Sequence, residues 1–220
     1  MKIDLESYSL KELKKIRGDV EKAISSFEQR KLAEARSELS AKASELGYSL
    51  DDLDFLKSID KYGLAFIEQP LASDDLIDHS KLSKIIETPI CLDESINGVE
   101  RTKQAIEIEA CKYINIKPGR VGGITNSLEI NKLAEDAGIP VWIGGMLESA
   151  LGVSTCIALA TLDNFTYPGD LFPSDRFYTD DLCKPENNYS AQYTFEPVNK
   201  LPEPDKNLLK KYTVKSATVK

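Results

Sequence analysis

The chain has 220 residues, 41% hydrophobic and 29% charged, the balance of a soluble globular protein rather than a disordered or fibrous one. Thirty-six acidic against twenty-eight basic side chains give a formal net charge of -8, which removes the global basic field that attracts a phosphate backbone, so nucleic acid is not expected as a main partner. A single histidine, His79, excludes any site needing two imidazoles, and chemistry must come from carboxylates, lysines or a metal. The four cysteines, Cys91, Cys111, Cys156 and Cys183, form no CxxC pair. With no N-terminal apolar signal segment, a cytoplasmic location without disulfides or structural zinc is expected. The longest apolar stretch, Val141 to Leu162, is interrupted by Gly144, Gly145, Glu148, Ser149 and Gly152, so no membrane span is expected.

Residues 1–49 have the composition of helix, with no proline and only Gly18 and Gly47 as glycines. Ser9 and Glu12 have the spacing of a capping box. Leu13, Val20 and Phe27 recur every seven residues, with Leu10, Ile16 and Ile24 between them, a stripe suited to pairing with another helix. A long helix or helical hairpin that supports a homo-oligomer is expected here.

From about residue 50 the pattern changes to short apolar runs separated by amphipathic stretches. The runs are LAFIEQP (64–70), PICLDES (89–95), KYINIKP (112–118), PVWIGGM (140–146) and FTYPGD (165–170). Helical stretches are expected at SKLSKIIE (80–87), VERTKQAIEI (99–108) and SLEINKLAEDAG (127–138), the last ending in a glycine stop. The polar residues at the strand ends, Glu68, Asp93 and Lys117, recur at the interval of one strand, loop, helix and return loop. Strands alternating with helices imply a parallel sheet, and near-equal spacing favours a (β/α)8 barrel. About five βα units fit the length. The expected organisation is therefore α/β, with a helical segment over 1–49, a partial barrel over 50–183 and a C-terminal extension over 184–220.

Active-site groups of such barrels stand at the C-terminal ends of the strands. The period-two rule puts Tyr113, Asn115 and Lys117 on one face of the third run, and Ile114 and Ile116 on the other. Leu64, Phe66 and Glu68 share a face in the same way, as do Cys91 and Asp93. Two carboxylates and an ammonium therefore converge on one rim. Carboxylate oxygens from separate strands can hold Mg2+, and a desolvated lysine can remove a proton next to a carbonyl or carboxylate. A salt-bridge network closing the top of the barrel is the alternative.

The segments IEQPL, TPICLDESI, INIKPGRVGGI, IPVWIGGMLESALG and FTYPGD resemble the muconate-lactonising subgroup of the enolase superfamily, and within it the o-succinylbenzoate synthases and N-acylamino acid racemases. The resemblance implies Mg2+ as cofactor, held by Glu68 and Asp93, with Glu94 completing the LDES pattern. It implies Lys117 as the catalytic lysine. Asn115, Gly145, Met146 and Asp170 are the substrate-side residues it suggests, with a small-molecule carboxylate as substrate. Residues 1–50 resemble the N-terminal oligomerisation helices of histone-like nucleoid-structuring proteins, but no basic glycine-rich DNA-reading loop follows.

Two elements of the enolase pattern are absent from the sequence, the second-strand Lys-x-Lys and the third-strand aspartate, whose place Ala43 takes, with Glu45 the nearest carboxylate. The junction of the two resemblances falls at Gly47 to Leu53. The expectations are an impaired Mg2+-dependent lyase or racemase, or an inactive oligomerising fusion of helix and half barrel.

Overall fold

The computed structural model describes residues 8–45, 56–183 and 194–217. The 47–53 junction and residues 184–193 of the C-terminal extension lie outside them. The chain forms two compact units, Met1–Ser58 and Ile59–Lys220.

In the first unit one helix, α1, runs over Leu10–Glu45. Its start is the expected capping box. The Ser9 backbone N–H donates to Glu12 Oε2 at 2.9 Å, and the Glu12 N–H donates back to Ser9 Oγ at 3.5 Å. These bonds satisfy donors that the first turn leaves unpaired. Leu10, Val20, Ile24 and Phe27 are all exposed on this helix, while Leu13 and Ile16 are partly covered.

The second unit is a parallel α/β layer. Its strands are β1 (Ile67–Glu68), β2 (Ile90–Leu92), β3 (Tyr113–Ile116) and β4 (Val141–Ile143), in the sheet order β1-β2-β3-β4. Each pair is parallel, with Glu68 opposite Cys91, Cys91 opposite Tyr113, and Asn115 opposite Trp142. Residues β2 and β4 contribute are buried throughout, as expected for strands covered on both faces.

The connecting helices are α2 (Leu76–Leu82), α3 (Val99–Glu107), α4 (Pro118–Val121), α5 (Ile124–Asp136) and α6 (Ala150–Leu159). Ser127, Ile130 and Ala134 make the buried stripe of α5, at three- and four-residue spacing. Gly138, at φ 68°, follows α5 as its glycine stop. A 3-10 turn (Ser174–Arg176) and α7 (Lys206–Tyr212) follow. Residues from 194 onward join the second unit through an antiparallel bridge of Cys183 with Pro204 and the ion pair of Lys211 with Asp180.

Two expected elements differ. The helix expected at 80–87 instead occupies 76–82, because Asp75 accepts the Asp78 N–H at 2.9 Å and starts it earlier. The strand expected at 165–170 reduces to two isolated bridges, Val141 with Phe165 and Gly144 with Asp170. Between those bridges this segment spends two more residues than β4 does, and Pro168 lacks the N–H that a ladder needs. Among the described residues no helix is long and apolar enough to cross a membrane.

Candidate active site

The inner face of the sheet is set by register. Paired residues in a parallel ladder project to the same side, so Glu68, Cys91, Tyr113, Asn115 and Trp142 share one face, and the isoleucines Ile114 and Ile116 are fully buried on the other. At the N-terminal end of this face Phe66, Tyr113, Trp142 and Tyr167 form an aromatic cluster, with ring centroids 4.9 to 6.2 Å apart. The polar groups stand at the opposite, C-terminal end.

There the expected residues do meet. Asn115 Nδ2 donates to Glu68 Oε1 at 2.8 Å. Lys117 Nζ lies 2.8 Å from Asp93 Oδ2, and the Arg120 guanidinium pairs with the other oxygen, Oδ1. Asp93 is 4% exposed, so its charge is withdrawn from water and compensated by two cations. Arg120 reaches it from α4, and its Nε donates to the Ile96 carbonyl at 3.2 Å. Lys117 is the extended residue that caps α4, one position before Pro118, whose missing N–H costs nothing there. Glu68, Gln69, Leu71, Ser73, Asp93 and Glu94 line an open depression of about 500 Å3. Glu94 is therefore at the rim.

The other expected residues are placed less directly. Asp170 is tied by its backbone, whose N–H donates to Ile143 O at 3.0 Å and whose carbonyl accepts from Gly145 N at 2.8 Å. Gly145 is required by that approach, since a Cβ there would sit 2.8 Å from the Asp170 oxygen. Met146 is exposed, with its sulfur 3.8 Å from where a Cβ on Gly119 would stand. Gly144 is the glycine in contact with the site, because a Cβ there would collide with Asn115 Oδ1 and lie 2.6 Å from Lys117 Cε.

Three residues were missed at the sequence level. Arg120 follows Lys117 by three positions, the spacing of one helical turn, which is a usable signal. Gln69 and His79 give none. His79 is fully buried, its Nε2 accepts the Leu71 N–H at 3.3 Å, and its Nδ1 lies 2.6 Å from the Asp75 carbonyl. The backbone N–H can only donate, so Nε2 accepts and the proton is on Nδ1. Burial lowers the His79 pKa, which agrees with this neutral form. The cysteines are free and buried, and burial pushes the thiols of Cys111 and Cys156 up to about 12, far from a reactive thiolate.

A metal does not fit the arrangement. Among the described residues no three His, Cys, Asp or Glu side chains stand close enough to hold an ion. Both oxygens of Asp93 are taken by cations, and Glu68 by an amide. Ala43 and Glu45 lie in α1.

Residues 30–195 match the family described as "Enolase C-terminal domain-like", a range that takes in the second half of α1. An o-succinylbenzoate synthase of Geobacillus stearothermophilus is 48% identical over 139 residues, 63% of this chain and 37% of that protein. An N-succinylamino acid racemase of Thermus thermophilus is 50% identical over 137 residues, covering 62% and 37%. The crystal structure of an enolase-superfamily member from Listeria innocua superposes with a TM-score of 0.68 at 40% identity, covering 76% of this chain and 46% of that one. The chain thus spans less than half the length of the relatives it matches. With three quarters of its residues and its parallel α/β sheet inside the match, this chain belongs to the enolase C-terminal domain-like family.

Proposed function

We propose that the second unit is the C-terminal part of a (β/α)8 barrel serving proton abstraction next to a carboxylate, as in dehydration to o-succinylbenzoate or racemisation of an N-acylamino acid. The supporting observation is that the Lys117 side chain, 18% exposed, sets its Nζ 2.8 Å from Asp93, a residue that lines the depression. The Lys117 ammonium must first pass a proton to solvent; its Nζ then takes the α-proton, and the electron pair of the C–H bond moves onto the substrate carboxylate. Asp93, itself paired with Arg120, holds the lysine head, Gly144 leaves room for its stem, and Asn115 holds Glu68. A cytoplasmic setting is part of this reading. The Mg2+ that the resemblance implies would find Glu68 and Asp93 only after they gave up their present partners.

Impairment is also part of the reading. The Lys-x-Lys and the third-strand aspartate that the resemblance implies are missing, and a general base contributes typically about 10² to 10⁴-fold. A chain with one base exchanges the α-proton of one enantiomer without inverting it. In D2O, NMR should show deuterium entering one enantiomer of an N-succinylamino acid, and Lys117→Ala should slow this by about 10²-fold or more. Equal exchange by the variant would sink the assignment.

A second reading, self-association through α1, is favoured by the exposed Leu10, Val20, Ile24 and Phe27. Light scattering should show an oligomer that Leu13→Asp with Val20→Asp converts to monomer. A monomeric unaltered chain rejects it.

A further inference from the structure

We infer that Gln69 is a positioning residue that fixes the two rim carboxylates, Glu68 and Asp93, relative to one another. The inference rests on the reading of Glu68, Asp93 and Lys117 as the acting groups. The ladder between β1 and β2 makes its last bond from the Gln69 N–H to the Cys91 carbonyl at 2.9 Å. The pairing of the two strands ends at Glu68 opposite Cys91. The side chain of Gln69 takes over: its Oε1 accepts the N–H groups of both Asp93 and Ser95, at 3.0 and 3.1 Å. Its Nε2 donates to Ser95 Oγ at 2.8 Å and to the Leu71 carbonyl at 3.1 Å. Every donor and acceptor of one amide is used; three of the four bonds join the loop carrying Glu68 to the loop carrying Asp93, and the fourth, to the Leu71 carbonyl, braces Gln69 within its own loop.

Two features show that the arrangement is imposed. Gln69 has a φ of 41°, in the left-handed region that a residue with a Cβ rarely adopts, and the turn aims its side chain across to the neighbouring loop. Behind it, the buried neutral His79 accepts the Leu71 N–H and lies 3.4 Å from Gln69 Nε2. The imidazole holds the far side of the same turn. Asp93 then presents its carboxylate to Lys117 and Arg120 from a backbone that cannot shift without breaking the clamp.

The test is amide hydrogen exchange by NMR on the full chain. Gln69→Met fills the same space without accepting, and should speed exchange at Asp93 and Ser95 by about tenfold or more while leaving Ile114 and Gly144 unchanged. Gln69→Glu still accepts both N–H groups, and should keep them slow. A Met variant as protected as the unaltered chain, or Met and Glu variants exchanging equally fast, overturns the clamp. A through-hydrogen-bond coupling between the Asp93 amide nitrogen and the Gln69 side-chain carbonyl carbon, expected in the unaltered chain, decides the matter even where Gln69→Met does not fold; its absence overturns the clamp too. Where the unaltered chain exchanges substrate deuterium, Gln69→Met should lower the maximal rate about tenfold with KM unchanged, and a change in KM alone overturns the positioning role. Without substrate exchange in the unaltered chain the proposed function fails, while the amide data still decide the clamp.

Discussion

Gly144 stands where two site side chains leave no room for a methyl group. A Cβ would press on the Asn115 amide and on Lys117 Cε, both anchored by hydrogen bonds to carboxylates. Gly144→Ala should therefore lower stability by about 1–3 kcal/mol, the usual range for overpacking, seen as a reduced urea midpoint with the slope unchanged. An unaltered midpoint would mean that Asn115 and Lys117 yield freely. His79 acts through its protonation state. Burial lowers its folded pKa below the ordinary 6.5, so as pH falls the unfolded chain binds a proton before the folded one does. Stability contributed by the neutral imidazole is complete above that value, and is lost as pH drops through it toward the folded pKa. The urea midpoint should hold steady from pH 8 to 7 and decline toward pH 5.5, and His79→Gln should flatten that decline. Because His79 is the only histidine, the comparison isolates one group. Equal slopes for both chains would count against it.

At the level of elements, much was legible because the signal is local. The polar ends Glu68, Asp93 and Lys117 mark three strand termini, and alternation along YINIKP correctly separates Asn115 and Lys117 from the buried Ile114 and Ile116. The capping box at Ser9 and Glu12 and the glycine after α5 are read from a few adjacent residues. What was missed depends on partners far apart in the chain. The Gln69 amide serves N–H groups 24 and 26 residues away, and Arg120 bonds a carboxylate 27 residues back. Nothing in EQP encodes those distances, and in PGR only the helical-turn spacing from Lys117 hints at the side Arg120 faces. The fifth run was misjudged for a different reason. Its apolar content is that of a strand, but Pro168 and the two surplus residues between its bridges leave room for only two points of pairing. The early start of α2 follows from one side chain, the Asp75 carboxylate, acting as its cap.

Across the whole molecule, all four thiols are buried and unpaired. Burial raises their pKa values, and a thiol reagent attacks thiolate at an accessible sulfur. At pH 8 the folded chain should leave a thiol reagent nearly unconsumed, whereas the chain in denaturant should react at four sulfurs. Fast modification of any one of them under native conditions would show that its segment opens independently. The pairing of Trp142 with Cys91 has a further use. The only tryptophan of the chain directs its indole N–H at a thiol 3.2 Å away, inside the aromatic cluster of the sheet. Sulfur at that range drains the excited state of an indole, so the folded sheet is the dim state and unfolding lights it up. Since α1 contains no tryptophan, that emission reports on the sheet unit alone, whereas helical dichroism sums α1 with the helices of the sheet unit, so a dichroism transition without a matching change in emission marks α1.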